Sequence, residues 1–589
     1  MNRRRRLLSA LLLSGTMTFA APAHAAEPPP ARAFKVLVFS KTAGYVHDAV
    51  PAAVKAIQEL GETNGFEVDE TKDAAAFTPE NLAGYQAVVF ASTTGDVLDA
   101  AQQEAFEDFI REGGGYAGIH AAADTEYQWP FYGQLVGARF ARHPAGDKVS
   151  ARLTTEDRAH PSTAHLPATP WTWADEWYDY QTNPRTTARV LVTLDETSYT
   201  GGRMGDHPIT WCKTVGQGRS WYTGMGHRAD AYADPSFRDM LLGGIRYVAG
   251  AVKADCRPET GYAALTGDSL SGWTQAGPGG FTHADGTASS YGGMGLLWRP
   301  TGLPSNRYSL KLDWKMQGDD NSGVFVGFPD PAGNPWTAVT EGYEIQLDAT
   351  DTPARSTGSI YNAQAPDLTT RDRVLNPPGL WNTLEIVVDA PRILVHLNGE
   401  KINDFTGDPR RLAGTLIGLQ NSSAKDHISF RDVRIRSLDA PQQGPQDGRT
   451  YTLTSVSSGK LADVSSASLN DGAGVVQWPS TGGAHQRWTL RNAGEGAFTV
   501  LAGHSGKCLT VPANRTNING ALVEQAACSG GDNQKWVLEP VKTDVYRLLS
   551  VAGNKCLDVP GADTTSGRRL AQYSCGAGTN QQWKLTQLG

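Results

Sequence analysis

The sequence predicts three domains in series: an α/β domain, an all-β sandwich of jelly-roll type and a β unit of threefold repeat. Three observations carry this. In the first part of the 589-residue chain, buried-type apolar runs alternate with helical patterns, which implies a mostly parallel sheet. In the middle, short period-2 runs separated by turn residues recur densely, as in a sandwich or jelly roll. In the tail, one unit occurs three times at a spacing of 47 to 48 residues, and β-units of this size bury a core only together.

Residues 1–26 read as an export signal. Four arginines precede an apolar run from Leu7 to Phe19, and Ala23-His24-Ala25 supplies small residues for cleavage after Ala25 or Ala26. The Arg-Arg-x-Leu-Leu order leaves twin-arginine export open beside the general route. A secreted, extracellular protein is expected. No later apolar run approaches the roughly 20 residues of a membrane span, so no membrane contact is expected. A net charge of −8 with 19% charged residues offers no basic face for nucleic acid.

The α/β domain is expected over 33–254. FKVLVFS reads as a buried strand, Ala49 to Leu60 as a helix, Tyr85 to Phe90 as a second strand, Ala100 to Glu112 as an amphipathic helix and Tyr116 to His120 as a further strand. Ligands of such sheets bind at the carboxyl ends of strands. His120 stands at such an end, in GGGYAGIHAAAD, at a strand-to-helix corner that usually exposes Ser or Cys. His47 follows the first strand, His207 opens His-Pro-Ile-Thr-Trp, and His227 closes Tyr-Thr-Gly-Met-Gly-His. Asp124 lies one helical turn past His120, and Glu176 sits among aromatics in Asp-Glu-Trp-Tyr. His120, Glu176, His207 and His227 are the candidate catalytic residues here, with His47 and Asp124 as substrate contacts. Imidazole serves as base, acid or ligand. A His/Glu/Asp group could hold zinc or another divalent ion, although no His-x-x-x-His helix motif marks one. His143 and His160, each before a proline, read as loop residues.

KTAGYVHDA, GGGYAGIHAAADT, ADEWYDY, HPITW and YTGMGH together resemble the trehalose-utilisation (ThuA-like) family. The resemblance implies a class I glutamine-amidotransferase-like α/β fold whose corner lacks the amidotransferase cysteine. His120 fills that corner, so thiol acyl transfer is excluded.

The all-β domain is expected over 259–438, with 439–448 as a Pro/Gln/Gly linker. Period 2 places Glu344, Gln346 and Asp348 on one face of their strand and Tyr343, Ile345 and Leu347 on the other. The polar set suits a concave sugar-binding face. The strings NSGVF, GYEIQ, TGSIY, WN, LNG and GLQN resemble the 3-keto-disaccharide hydrolase domain, a concanavalin-like jelly roll. The resemblance implies Glu344 as a base and Gln346 and Asn421 as donors, with Asp348 beside them. Where the family commonly has His after Gln-Asn, this chain has Ser422. Glu344 and Asp348 lie about 13 Å apart on a straight strand, too far for the two-carboxylate pairing of an ordinary glycosidase.

The tail, 449–589, repeats Leu-x-x-Val to Gln-x-Trp and resembles the ricin B-chain type lectin, a β-trefoil. The resemblance implies sugar contacts at Asp463, Trp478 and Gln486 in the first repeat and at Asp558, Tyr573, Asn580 and Gln581 in the third. The second has Thr510 and Ala526 at the decisive places and is expected to be dead. His485 stands where Asn is usual. The six cysteines of an exported chain are expected to pair: Cys508 with Cys528, Cys556 with Cys575, and the remaining Cys212 with Cys256.

The expected function is hydrolysis of 3-keto-disaccharides or related glycosides by a secreted enzyme whose lectin tail holds polysaccharide. The rivals are a non-catalytic glycan-binding protein and a conventional glycoside hydrolase.

Overall fold

The computed structural model describes residues 34–348, 350–439, 444–494, 496–542, 544–576 and 578–588. The expected leader, 1–26, and residues 440–443 of the expected linker lie outside them.

The first domain is built on a nine-stranded sheet. Glu67–Thr71, Lys35–Phe39, Ala87–Ala91, Gly115–Ile119 and Gly218–Thr223 run parallel. His207–Val215, Arg189–Asp195, Val149–Thr155 and Trp171–Asp175 extend the sheet antiparallel. The parallel part is therefore only the first half. The direction reverses at Gly216-Gln217, a two-residue turn with Gly216 at φ +60°, which admits only an antiparallel partner. The helices Val50–Asn64, Ala100–Arg111 and Pro235–Val248 bury Ile57, Leu60, Phe106, Ile110, Leu241 and Ile245. Asp99 caps the second of these in a reciprocal pair with Gln102.

The middle domain is two facing antiparallel sheets, of eight and five strands. Leu310, Leu312, Trp314, Val324, Val326, Ile345, Leu347 and Ile386 fill the space between them, so Tyr343, Ile345 and Leu347 face inward as period 2 requires. In the tail the three repeats close on one core. Trp488, Trp536 and Trp583 are fully buried, and each indole N–H donates to the equivalent carbonyl of its own repeat: Ala462, Leu509 and Leu557, at 3.0, 2.9 and 3.0 Å. That threefold identity of contacts makes the tail a trefoil. Disulfides join Cys212–Cys256, Cys508–Cys528 and Cys556–Cys575.

Ion pairs join the two front domains. Glu259, at the junction, meets Arg189 of the first domain at 3.0 Å and Lys311 of the second at 2.8 Å, and is also paired with Arg434. Asp255 binds Lys311 at 2.8 Å and Arg257 at 2.7 Å. Cys256 tethers the same junction to the strand His207–Val215.

Candidate functional site

Four loops at the carboxyl edge of the parallel strands deliver His47, His120, Glu176 and His227 to one point. Their potential ligand atoms all lie within 4.8 Å of one another. His120 takes the corner at φ +46°, in the left-handed region, which turns its ring over the strand ends. Its Nδ1 donates to the Gly224 carbonyl (2.9 Å), so Nε2 is left as the free lone pair. That Nε2 lies 3.2 Å from His227 Nδ1 and 3.4 Å from Glu176 Oε2, and His227 Nδ1 lies 3.2 Å from the same oxygen. Gly226, at φ +105°, lets the chain double back so that its own N–H and that of His227 donate to Asp175 (2.8 and 3.2 Å). Tyr178 walls the site, its ring 4.3 Å from that of His120.

The electrostatics separate the roles. Burial pushes the Glu176 carboxyl up, but hydrogen bonds and charge from His120 and His227 outweigh it and hold the group well below the usual carboxylate range. Burial, with His120 and His227 nearby, pushes His47 down to about 3, so it stays a neutral imidazole. The hydrogen bond to Glu176 raises His227.

These residues fit a divalent metal. A tetrahedral site with ligands at about 2.0–2.1 Å has edges of about 3.3–3.4 Å, and the separations of 3.2, 3.4 and 3.2 Å match them. His47 completes a three-histidine, one-carboxylate set, and its buried Nδ1 has no hydrogen-bond partner among the described residues. The Gly224 carbonyl orients His120 from behind, as outer partners of ligating histidines do.

Other expected residues fall elsewhere. His207 is buried away from the cluster: its Nε2 donates to the Tyr178 carbonyl (2.9 Å) and its Nδ1 lies 2.9 Å from Glu196. It is a structural histidine, because Tyr178 stands between it and the site. Asp124 is half-buried and receives the Tyr127 hydroxyl (2.5 Å). His143, read from sequence as a loop residue, is exposed at the mouth with Nδ1 3.2 Å from Glu176 Oε1 and 2.8 Å from the Pro144 carbonyl. No periodicity marks its loop; only the chemistry of His beside an acid could have raised it. His160 is buried against Ser162 (2.8 Å).

In the middle domain Glu344 and Gln346 share the face opposite the main core. Gly323 faces Gln346 across the strand pair, and a Cβ there would lie 2.3 Å from Glu344 Oε1, so glycine makes room for the carboxyl. Both amide atoms of Gln346 are buried without a hydrogen-bond partner among the described residues. Burial, opposed by the Gln420 amide, pushes Glu344 up to about 8. At neutral pH it carries its proton, which suits an acid rather than the expected base. Asn421 is spent as well: its Nδ2 donates to the carbonyls of Tyr291, Gly292 and Gly293 (2.7, 3.1 and 2.8 Å), so it is a loop anchor rather than a substrate donor. Asp348 accepts from Asn321 (3.0 Å) and from the amides of Thr350 and Asp351 (2.9 and 3.1 Å), so it shapes a turn.

A group whose folded pKa is raised favours folding below its unfolded value and loses that contribution as pH rises to the folded one. Stability of the middle domain is therefore expected to fall between about pH 4.5 and about 8. Glu344→Gln should remove that fall, a difference of order a few kcal/mol, read by thermal unfolding at pH 5 and pH 9. Parallel curves for the two proteins would sink the assignment.

In the lectin, Asp463 receives Gln486 Nε2 (2.7 Å) and Asp558 receives Asn580 Nδ2 (2.7 Å). Trp478 and Tyr573 stand 43% and 45% exposed beside them, at the strand position where the second repeat has Ala526. Gln486 and Gln581 are buried and bond the backbone at Pro479 (2.9 Å) and Ser574 (3.0 Å), which corrects the expectation that they touch sugar. They position the pocket instead. His485 takes the place of Asn580, 3.4 Å from Asp463.

Fold and site together define a modular, carbohydrate-related protein. Family models make the assignment particular: residues 35–248 match trehalose utilisation (ThuA), 261–436 the 3-keto-alpha-glucoside-1,2-lyase-like domain, and 449–583 the ricin-type beta-trefoil lectin domain. The chain carries these three domains in that order. No curated protein matches it. Among solved structures it is similar to the designed threefold-symmetric protein ThreeFoil (43% identity over 24% of this chain and 99% of that one, TM-score 0.23). A ThuA-like protein from Bacteroides uniformis ATCC 8492 is 25% identical over 39% of this chain and 95% of its own (TM-score 0.33). A ricin B-like lectin from Macrolepiota procera, solved with lactose, is 24% identical over 25% of this chain and 99% of its own (TM-score 0.22). Among the described residues no helix is long and apolar enough to cross a membrane.

Proposed function

We propose that this is a secreted enzyme that opens glycosidic bonds of 3-keto-disaccharides or related glycosides while its lectin domain holds polysaccharide. The observation that carries the reading is the convergence of His47, His120, Glu176 and His227 at one point, in a chain with a 3-keto-glucoside-lyase-like domain. A ketone at C3 acidifies the C2 proton. His143 is the candidate base: Nδ1 is engaged by Glu176 and the Pro144 carbonyl, which leaves Nε2 to take that proton. The electron pair moves to the C3 oxygen and then expels the C1 oxygen, which leaves with a proton. Water adds across C1 and C2 to complete hydrolysis. His47, His120, Glu176 and His227 would hold a divalent ion, which when bound supplies Lewis acidity toward a carbonyl oxygen. Glu344, proton-bearing at neutral pH, is the corresponding acid of the middle domain.

The test is turnover of 3-keto-trehalose and 3-keto-glucosides, with and without EDTA, beside His120→Ala and Glu344→Ala. Loss of keto-glucose release in one variant assigns the active domain. The spent Asn421 amide and Ser422 favour the second reading, glycan binding without turnover; absence of release from every keto-sugar would establish it. Retention on insoluble xylan or galactan is expected to fall more than about tenfold for Asp463→Ala or Asp558→Ala alone and to vanish for both, since two weak sites act by avidity. Equal retention by the double variant would remove the lectin pockets from the account.

A further inference from the structure

Tyr45 and Val46 are 67% and 64% exposed, on the loop that delivers buried His47. Single exposed apolar residues are ordinary. Two in succession, on a fixed backbone, beside a buried polar cluster are not. The backbone is fixed by Thr94: its carbonyl accepts from the amides of Ala43 and Gly44 (2.7 and 3.2 Å), and its hydroxyl donates to the Tyr45 carbonyl (2.7 Å). Gly95, at φ +73°, allows the approach, since a Cβ there would lie 3.1 Å from the Gly44 nitrogen. The Tyr45 ring meets the His47 ring edge-on at 4.8 Å, and the His47 ring lies 5.0 and 5.2 Å from those of His120 and His227. Tyr45 therefore stands between the cluster and solvent. A rigidly held aromatic presents apolar surface at little entropic cost. A pyranose ring is the ligand that needs both features, with C–H groups on one face and hydroxyls at its rim. The lectin pockets of this chain pair the same features, with Trp478 and Tyr573 exposed beside the buried Asp463 and Asp558.

We propose that Tyr45, flanked by Val46, is the stacking platform that holds a pyranose ring over the His47, His120, Glu176 and His227 cluster; the assignment rests on the carbohydrate reading above. Tyr45 acts by positioning, so its removal should weaken binding more than turnover.

The experiment uses the full chain with the lectin pockets disabled by Asp463→Ala and Asp558→Ala. Calorimetric titration with trehalose and 3-keto-trehalose is compared for that parent and for added Tyr45→Ala, Tyr45→Phe and Tyr45→Trp, with kcat and KM measured in parallel. Tyr45→Ala is expected to weaken binding and raise KM about tenfold, with kcat within about threefold, and Phe and Trp should restore affinity. Equal affinity of parent and Tyr45→Ala overturns the platform even if the parent turns over keto-sugars. A parent that binds neither sugar overturns it too. Binding that depends on the aromatic ring, in a protein that releases no keto-glucose, supports the platform and sinks the hydrolase reading alone.

Discussion

Glu176→Gln is expected to lower retention of a divalent ion by at least about a hundredfold while the protein stays folded. One oxygen of Glu176 faces His120 and His227 at 3.4 and 3.2 Å, and the other faces His143 at 3.2 Å. Hydrogen bonds and charge from His120 and His227 outweigh burial and hold the carboxyl well below the usual carboxylate range. It is thus the only anion of the four-residue set, and three imidazoles with a neutral amide bind a dication far more weakly. The same exchange frees His143 from its acid, so turnover should fall by about two orders of magnitude or more. Zinc and cobalt content after gel filtration, with competition against a chromophoric chelator, reads the first effect without reference to activity. A parent that binds no divalent ion, or a variant that keeps its affinity within about threefold, would remove the metal from the site. Turnover lost with metal retained would leave only the orientation of His143.

The sequence reaches this site unevenly, for physical reasons. His47, His120, Glu176 and His227 each close a strand or follow its end, and the α/β rule that ligands bind there brings them together. His207 carries the same local signature but opens an antiparallel strand, and its ring is consumed by Glu196 and Tyr178. Whether a polar side chain faces a ligand or its own backbone depends on residues remote in sequence. Asn421 shows this, held by carbonyls about 130 positions earlier. So does Glu344, whose strand and face are legible by period 2 but whose raised pKa is a property of burial. The trefoil is the most legible part, because repetition writes the same contact three times. The junction between the front domains is the least, since its charges are spread from Asp157 to Arg434 without any local pattern.

That junction supports the second large effect. Glu259→Ala is expected to destabilise the front two domains by about 3–5 kcal/mol and to lower their unfolding temperature by several degrees. The Glu259 side chain is 7% exposed and meets Arg189, Lys311 and Arg434, whose own side chains are 9%, 5% and 12% exposed. Removal of the acid leaves Arg189 on Asp157, Lys311 on Asp255 and Arg434 near Asp313, a buried network short of one anion and with no water to replace it. Burial opposes ionisation of Glu259, and the three cations outweigh it, so its carboxyl is held well below the usual range. A depressed folded pKa contributes stability that is complete above the ordinary value of about 4.3 and is lost as pH falls toward the folded one. The variant gap should therefore be full at pH 7 and shrink below about pH 4. Calorimetry at pH 7 and at pH 3 reads it. Because Arg189 belongs to the first domain and Lys311 and Arg434 to the second, the loss should also split one front transition into two. A Glu259→Ala protein that melts like the parent, in one step and at the same temperature, would mean that the Cys212–Cys256 tether and the apolar contacts hold the domains together without these charges.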